Sequence, residues 1–353
     1  MTTSAAMLFY IGNTYSCTEF YINKNNFHIS ARTLDFGVSL GNNLYYGYPG
    51  TENTSRIIPL PSNIVKEQKP ISWNNRYGYF GRTAWESTNI IDGMNIQGLS
   101  VSTLELDDSQ YLDPGQGHSN KKNLSVYDLP SYILSQASTV QEAISLIDSV
   151  NVVKSAIQKD HTTYIKGLGI HFSIKDKNGG STVVQFINGK PQYIQSDALT
   201  NNPLSIEQSP VNTNCNMSNL TEGFNNINND SRTRLYVVKN LLNCIAPPKT
   251  TNQALYNAEV ILDKLTVPYN LKWGTATEWK SIKDLDNKKV YYKNMIDILS
   301  YNQDEIDANP ITNGWNEYDL NNMGLNYTRP SAKGIKPIEK EELAQIKILS
   351  LSE

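Results

Sequence analysis

Residues 17–35, Cys-Thr-Glu-Phe-Tyr-Ile-Asn-Lys-Asn-Asn-Phe-His-Ile-Ser-Ala-Arg-Thr-Leu-Asp, decide how this chain folds. Two runs of strand formers, 17–22 and 27–35, flank an Asn-Lys-Asn-Asn turn at 23–26, which is the pattern of a β-hairpin. A turn centred on Lys24-Asn25, whether two or four residues long, places Cys17 directly opposite Arg32, with Cβ atoms roughly 4.5–5.5 Å apart. A cation then stands beside a thiol. Asp35 lies three residues further on, where an unbroken strand points it to the other face from Arg32. Bringing both to one site requires a bulge or a curl.

The totals set outer bounds. With 353 residues the chain is long enough for one large domain or two medium ones, and for a full core. A net charge of -3 and the lack of a dense Lys/Arg stripe leave no electrostatic footprint for nucleic acid or a membrane surface. Three cysteines, Cys17, Cys215 and Cys244, make no multi-bridge framework and match no zinc spacing. Cys244 fits a buried helix position, and Cys215, in an Asn/Ser-rich loop, is either free or paired. Neither a metal nor a cofactor is expected, because no phosphate-cradling loop or His cluster is present. His28, His118, His161 and His171 are scattered and read as structural.

Residues 1–16 form a separate question. Their apolar run at 5–12 is far short of the ~20 residues that span a bilayer. Small residues at Thr14 and Ser16 suit cleavage just before Cys17, although a basic start is missing. The segment reads as an export signal or a propeptide. A lipoprotein anchor at Cys17 is less favoured, since Thr14 stands where such signals want an aliphatic residue.

Moving outward from the hairpin, residues 44–70 are turn-rich and polar, and strands follow at about 72–80, around 90–95 and at 98–106, with Asp92-Gly93 read as a turn between strands. Trp73, Tyr79, Phe80 and Trp85 read as core aromatics. Residues 107–126 form a loop over a site. Helices are expected at about 130–136 and, after the capping box Thr139-Val-Gln-Glu142, to about 150 with Ala143, Ile144 and Ile147 on one face. Strands return at 169–174 and 181–194, the latter folded by Asn188-Gly189. Residues 201–229 are an Asn-rich loop, 234–244 and 252–265 are helical, and late strands fall at 277–282 and 289–293. The layered order of strands and helices argues for one domain at 17–330 and a polar C-terminal tail at 331–353.

Taken together, Cys17-Thr18, Arg32-Thr-Leu-Asp35, Tyr77-Gly78, Asp92-Gly-Met-Asn95 with Gly98-Leu99, Thr200-Asn-Asn-Pro203, Arg234-Leu-Tyr-Val, Trp279 and the run 287–292 resemble the choloylglycine hydrolase and penicillin V acylase family of N-terminal-nucleophile hydrolases, closest to its exported Gram-negative branch. The resemblance implies an α+β fold, a four-layer αββα sandwich, and an amidase acting on linear, non-peptide carbon–nitrogen bonds. Conjugated bile acids, penicillin V and N-acyl homoserine lactones are the implied substrates. It also implies removal of residues 1–16, so that Cys17 is the nucleophile and its own α-amine the general base. An α-amine near pKa 7.7–8.0 and a thiol near 8.5 exchange a proton readily at neutral pH without a histidine. Arg32 would lower the thiol pKa, Asp35 would hold the amine, Asn201 would donate to the oxyanion, and Arg234 would hold the site together, with Arg232 contesting that last role.

Two departures from the family pattern bear on function. Its second oxyanion position falls at Glu105, which donates a hydrogen bond only when protonated, so that a backbone N–H near Leu104 to Leu106 is expected to serve instead. Residues 204–230 lack the apolar content of a tetramer-forming arm, which leaves a homo-oligomer open. The expected partner is a small-molecule amide, and the expected location is periplasmic or secreted, with the atypical leader leaving a cytoplasmic one open. The competing expectations are an exported binding protein or lipoprotein without turnover, favoured by Glu105, and a papain-like protease, which requires a histidine beside Cys17.

Overall fold

The hairpin forms, with its turn one residue later than expected. The computed structural model describes residues 17–36, 40–41, 43–58, 69–85, 87–158, 163–165, 167–204, 215, 231–267, 276–295, 314–324 and 347–349. In it β1 (Thr18–Lys24) and β2 (Phe27–Phe36) pair antiparallel, Lys24 against Phe27. Asn25 and Asn26 have φ of 54° and 60°. That is the left-handed conformation of a two-residue primed turn, which Asn adopts more readily than other non-glycine residues. Glu19, rather than Cys17, therefore stands opposite Arg32. A register shift of two residues leaves every side chain on its expected face, so Cys17 and Arg32 remain neighbours on the diagonal.

The expected bulge is found, but on the neighbouring strand. Thr277 pairs with Asp35 and Trp279 with Leu34, making Glu278 the extra residue. Strand β2 itself is continuous, and its alternation sends Arg32 to one face and Thr33 and Asp35 to the other. The idea that a curl in β2 brings both side chains to one face is corrected accordingly.

Seven strands build a second sheet: β3 (Leu44–Gly47), β4 (Tyr79–Thr83), β5 (Ile90–Asn95), β6 (Leu99–Glu105), β7 (Ile170–Asp176), β8 (Ser181–Ile187) and β9 (Lys190–Ile194). They run in the order β9-β8-β7-β6-β5-β4-β3. With β10 (Ala198–Leu199), β11 (Ala276–Asp284), β12 (Lys289–Asn294) and β13 (Asn316–Asp319), the hairpin forms the first sheet, in the order β10-β1-β2-β11-β12-β13. Every pairing in both sheets is antiparallel.

Helices α1 (Leu129–Gln136) and α2 (Val140–Ser149) cover the seven-stranded sheet, while α3 (Ser231–Cys244) and α4 (Thr251–Leu265) cover the other. The result is the αββα sandwich expected. Thr139 caps α2 by accepting from the Glu142 N–H, and Ala143 and Ile147 are buried beneath it, with Ile144 half-buried. Between the sheets the core is polar. Glu19 bonds Ser30 at 3.0 Å and Ser173 at 2.7 Å, and Lys283 bonds Asp92 and Ser102. Such a layer is tolerable because each buried charge has a partner.

Asp92-Gly93 is not a turn. Both residues lie in the middle of β5, and the turn comes at residues 96–98, where Gly98 has φ +79° and the Asn95 Oδ1 accepts from the Gln97 and Leu99 N–H groups. Gly93 is glycine because a Cβ there would stand 2.9 Å from the Phe80 carbonyl oxygen and 3.0 Å from Leu134 of α1. A close approach between layers, not a chain reversal, selects the residue.

Cys215 and Cys244 form a disulfide, which settles the open pairing of Cys215 and leaves Cys244 half-buried at the end of α3 rather than deep in the core. Lys347–Leu349 pairs in parallel with Thr163–Ile165, so this part of the presumed tail is a strand. The leader at 1–16, the presumed oligomerisation arm apart from Cys215 and the first four residues of its loop, His161, and the rest of the tail lie outside the described residues.

Candidate active site

Cys17 precedes β1, on the face that looks toward the second sheet. Only 3% of its surface is exposed. Its Sγ–H donates to the Asp35 carbonyl oxygen at 3.6 Å, and the Arg32 Nη2 approaches the sulfur at 3.9 Å. Arg32 is itself anchored. Its Nη1 donates to the Ile91 carbonyl of β5 at 2.5 Å, and its guanidinium lies 5.3 Å from the centre of the Trp279 ring. The register expected from the sequence exaggerated the contact but identified the right pair.

Charge alone does not activate this thiol. Burial pushes the Cys17 pKa up and outweighs the opposing pull of Arg32, with the Asp35 carboxylate adding to the rise. The sulfur is therefore protonated at neutral pH, and to act as a nucleophile it would need a base. His171 does not serve as that base. It is fully buried, and burial lowers its pKa to about 3, outweighing the opposing pull of the Thr200 backbone. His28 pairs with Asp286 at 2.8 Å, and His118 is exposed in a loop. A papain-like arrangement is thus unsupported among the described residues.

On the other face of β2, Asp35 is the centre of a dense buried cluster. Its Oδ2 accepts from Arg234 Nη2 at 2.6 Å and from Thr33 Oγ1 at 2.8 Å, and its Oδ1 accepts from Thr277 Oγ1. Burial pushes the carboxyl up, while Arg234, Thr277 and Thr33 pull it back toward the ionised form. Arg234 uses its remaining N–H groups on Thr18 Oγ1 at 2.9 Å, Thr33 Oγ1 at 3.1 Å and the Leu265 carbonyl at 2.9 Å. One guanidinium thus ties α3 to β1, β2 and the end of α4. Arg232 is exposed, so it is Arg234 that meets Asp35.

Asn201 follows β10, which pairs Leu199 with Glu19 and Ala198 with Phe20. Continuing that register sets Asn201 beside Cys17. Leu104 and Glu105 line the same pocket as Cys17 and Arg32, together with Leu34, Phe36, Leu40, Trp85, Ile90, Ile91, Tyr127, Leu168 and Ile170. The pocket wall is therefore largely apolar, suited to a hydrocarbon or aromatic acyl group. Trp73, Tyr79, Phe80 and Trp85 are all core residues, as expected, and Trp85, which holds φ at +51°, also forms a wall of the pocket. Of the loop expected at 107–126, Asn123–Ser125 is a strand paired with Asn151–Val153, and Tyr111 supports the pocket indirectly, its OH bonding both backbone groups of Ile170.

The family described as linear amide C–N hydrolases, choloylglycine hydrolase family, matches residues 17–215 of this chain. The chain belongs to this family. A penicillin V acylase of Pectobacterium atrosepticum is 26% identical over 213 residues, 56% of this chain and 52% of that protein, so the chain spans about half the length of this curated relative. Among solved structures, penicillin V acylase from Agrobacterium tumefaciens superposes with a TM-score of 0.65 at 20% identity, covering 88% of this chain and 87% of that one. A mutant conjugated bile acid hydrolase from Clostridium perfringens gives 0.61 at 16% identity, covering 92% and 100%. These two likenesses are of the choloylglycine hydrolase fold.

Thr18, Thr33, Thr277 and Trp279 escaped the reading of the sequence as site supports. For Thr33 a signal existed: Thr-x-Asp on a strand puts both side chains on one face. Thr277 lies 242 residues from Asp35 and carries no local mark. Among the described residues no cluster of three or more His, Cys, Asp or Glu is placed to hold a metal. No described helix is long and apolar enough to cross a membrane.

Proposed function

We propose that this protein is an amidase that hydrolyses a linear, non-peptide amide through a Cys17 acyl-enzyme, with the α-amine of Cys17 as base. The observation that carries the reading is a buried thiol, protonated at neutral pH, with the Arg32 cation beside it and, among the described residues, no imidazole bonded to it. A base is required, and the α-amine of a chain beginning at Cys17 is the group already in place. While Ser16 precedes Cys17 that nitrogen is a peptide amide and has no basicity, so removal of residues 1–16 is the activating step. The family match beginning at Cys17 supports this.

The amine takes the thiol proton, the thiolate attacks the amide carbon, and the tetrahedral oxyanion is met by Asn201 Nδ2 and a backbone N–H. The C–N bond then breaks, the leaving amine receives the proton, and a thioester remains on Sγ. Water, activated by the same amine, hydrolyses the thioester and returns the proton inventory to its start. Asp35, held by Arg234 and two threonine hydroxyls, orients the ammonium form of the amine. The names of the two relatives make penicillin V and conjugated bile acids the first substrates to test, and the resemblance adds N-acyl homoserine lactones.

The Cys215–Cys244 bridge supports an exported location, since such bonds persist in oxidising compartments. Glu105 no longer favours a binding protein without turnover, because burial pushes its carboxyl up to about 7 and it can donate a hydrogen bond at neutral pH. The test is hydrolysis of these three substrates by protein starting at Cys17 and by Cys17→Ala. Product release by the first and none by the second is expected, whereas equal turnover by both would sink the mechanism.

A further inference from the structure

Glu105 ends β6 and lines the pocket that holds Cys17. Around it the wall is apolar: Leu104 precedes it, Ile170 pairs with it across the β6–β7 ladder, and Ile90 and Leu168 complete the surface. Among the described residues, no side chain bonds or ion-pairs with its carboxyl. A carboxyl placed in this way is costly to burial and contributes nothing to the mechanism above, which is the pattern of a group kept for its ligand.

Its charged surroundings are few. Asp107, in the turn after β6, is a second negative charge, and burial followed by Asp107 pushes Glu105 up to about 7. Tyr127 and Asn89 face the pocket from the segments before α1 and β5, while β7 contributes only apolar side chains there. Arg32 and Cys17 belong to the hairpin side. Arg32 reaches the Ile91 carbonyl, and Ile91, Thr103 and Glu105 line the same pocket as Arg32 and Cys17.

We propose that Glu105 is a specificity-determining residue that disfavours negatively charged substrates, so that the site turns over an uncharged N-acyl amide with an apolar acyl chain, such as an N-acyl homoserine lactone, faster than the anionic penicillin V or conjugated bile acids. The inference rests on the amidase reading and names its substrate class. As the neutral acid, Glu105 donates to a carbonyl or hydroxyl of such a substrate. As the anion, the half-buried Glu105 repels a substrate carboxylate across the largely apolar pocket.

The test uses a matched pair, N-decanoylglycinamide and N-decanoylglycine, which differ in one terminal charge. The ratio of their kcat/KM values is measured from about pH 6 to about pH 8 in protein starting at Cys17, in Glu105→Gln and in Glu105→Asp. In the wild type the ratio is expected to favour the neutral amide and to grow on the order of tenfold over that range. It should be flat in Glu105→Gln and restored in Glu105→Asp. A wild-type ratio independent of pH, or one unchanged by Glu105→Gln, overturns the proposal. The Kd ratio of the same pair on Cys17→Ala protein reads the selection without turnover. If neither amide is hydrolysed but the Kd ratio rises with pH, the amidase reading fails and the selection stands. If hydrolysis occurs and both ratios are flat, the selection fails and the amidase reading stands.

Discussion

At the scale of single residues, the site is a thiol just before β1 and a carboxylate on β2, on opposite faces of the sheet and connected through the Asp35 carbonyl, which accepts from the thiol. Arg234 is the residue whose loss has the clearest physical cost. Replacing it with Met leaves the Asp35 carboxylate buried without its ion-pair partner, and about 3–5 kcal/mol of stability should disappear in denaturant titrations. Thr277→Val removes one donor from the same carboxylate and should cost about 1–2 kcal/mol, with lower kcat and little change in KM. Cys17, Arg32, Asp35 and Arg234 were legible because each recurs in the family motifs and because a hairpin dictates which of them are neighbours. Thr277 was not, since it reaches the site only through the pairing of β11 with β2, more than two hundred residues away in sequence, and Trp279, though one of the motif residues, carried no sign that it would stack on Arg32.

Among elements, local signals worked where local physics decides. The Asn188-Gly189 turn formed as read, with φ of 51° and 73°, and so did the capped helix after Thr139. They misled where another layer decides: Asp92-Gly93 looks like a turn in sequence, yet Gly93 is fixed by contact with Phe80 and α1. In the first hairpin the Asn-Lys-Asn-Asn run was read as a turn centred on Lys24-Asn25, and the left-handed pair at Asn25 and Asn26 prevailed. Because Asn26 sits at φ 60°, Asn26→Val should destabilise the protein by about 1–2 kcal/mol, seen as a lower Tm, with kcat unchanged if the register holds. A changed kcat would mean that the register had slipped and carried Cys17 away from Arg32.

For the whole molecule, titration and processing connect the fold to its working conditions. Burial raises Glu105 to about 7 and Asp128 to about 6. In the window from the unfolded carboxyl range up to those values, the native protein holds protons that the unfolded chain has lost, so these two groups make stability fall as pH rises. His171, lowered to about 3, acts in the opposite sense, and stability falls as pH drops below its unfolded value near 6.5. The Glu105 contribution is isolated by comparing Tm of Glu105→Gln with wild type. The difference should be small near pH 4.5, grow in favour of the variant toward pH 7, and stay level above it.

The central claim is that the nucleophile and the base reside in one residue, which works only when Cys17 is the first. Mass spectrometry of the N-terminal peptide from enzyme quenched during turnover tests it most directly. The account predicts a peptide beginning at Cys17 and carrying the acyl group on its sulfur. Active enzyme whose peptide begins at Met1, or acyl mass on any other residue, would contradict it.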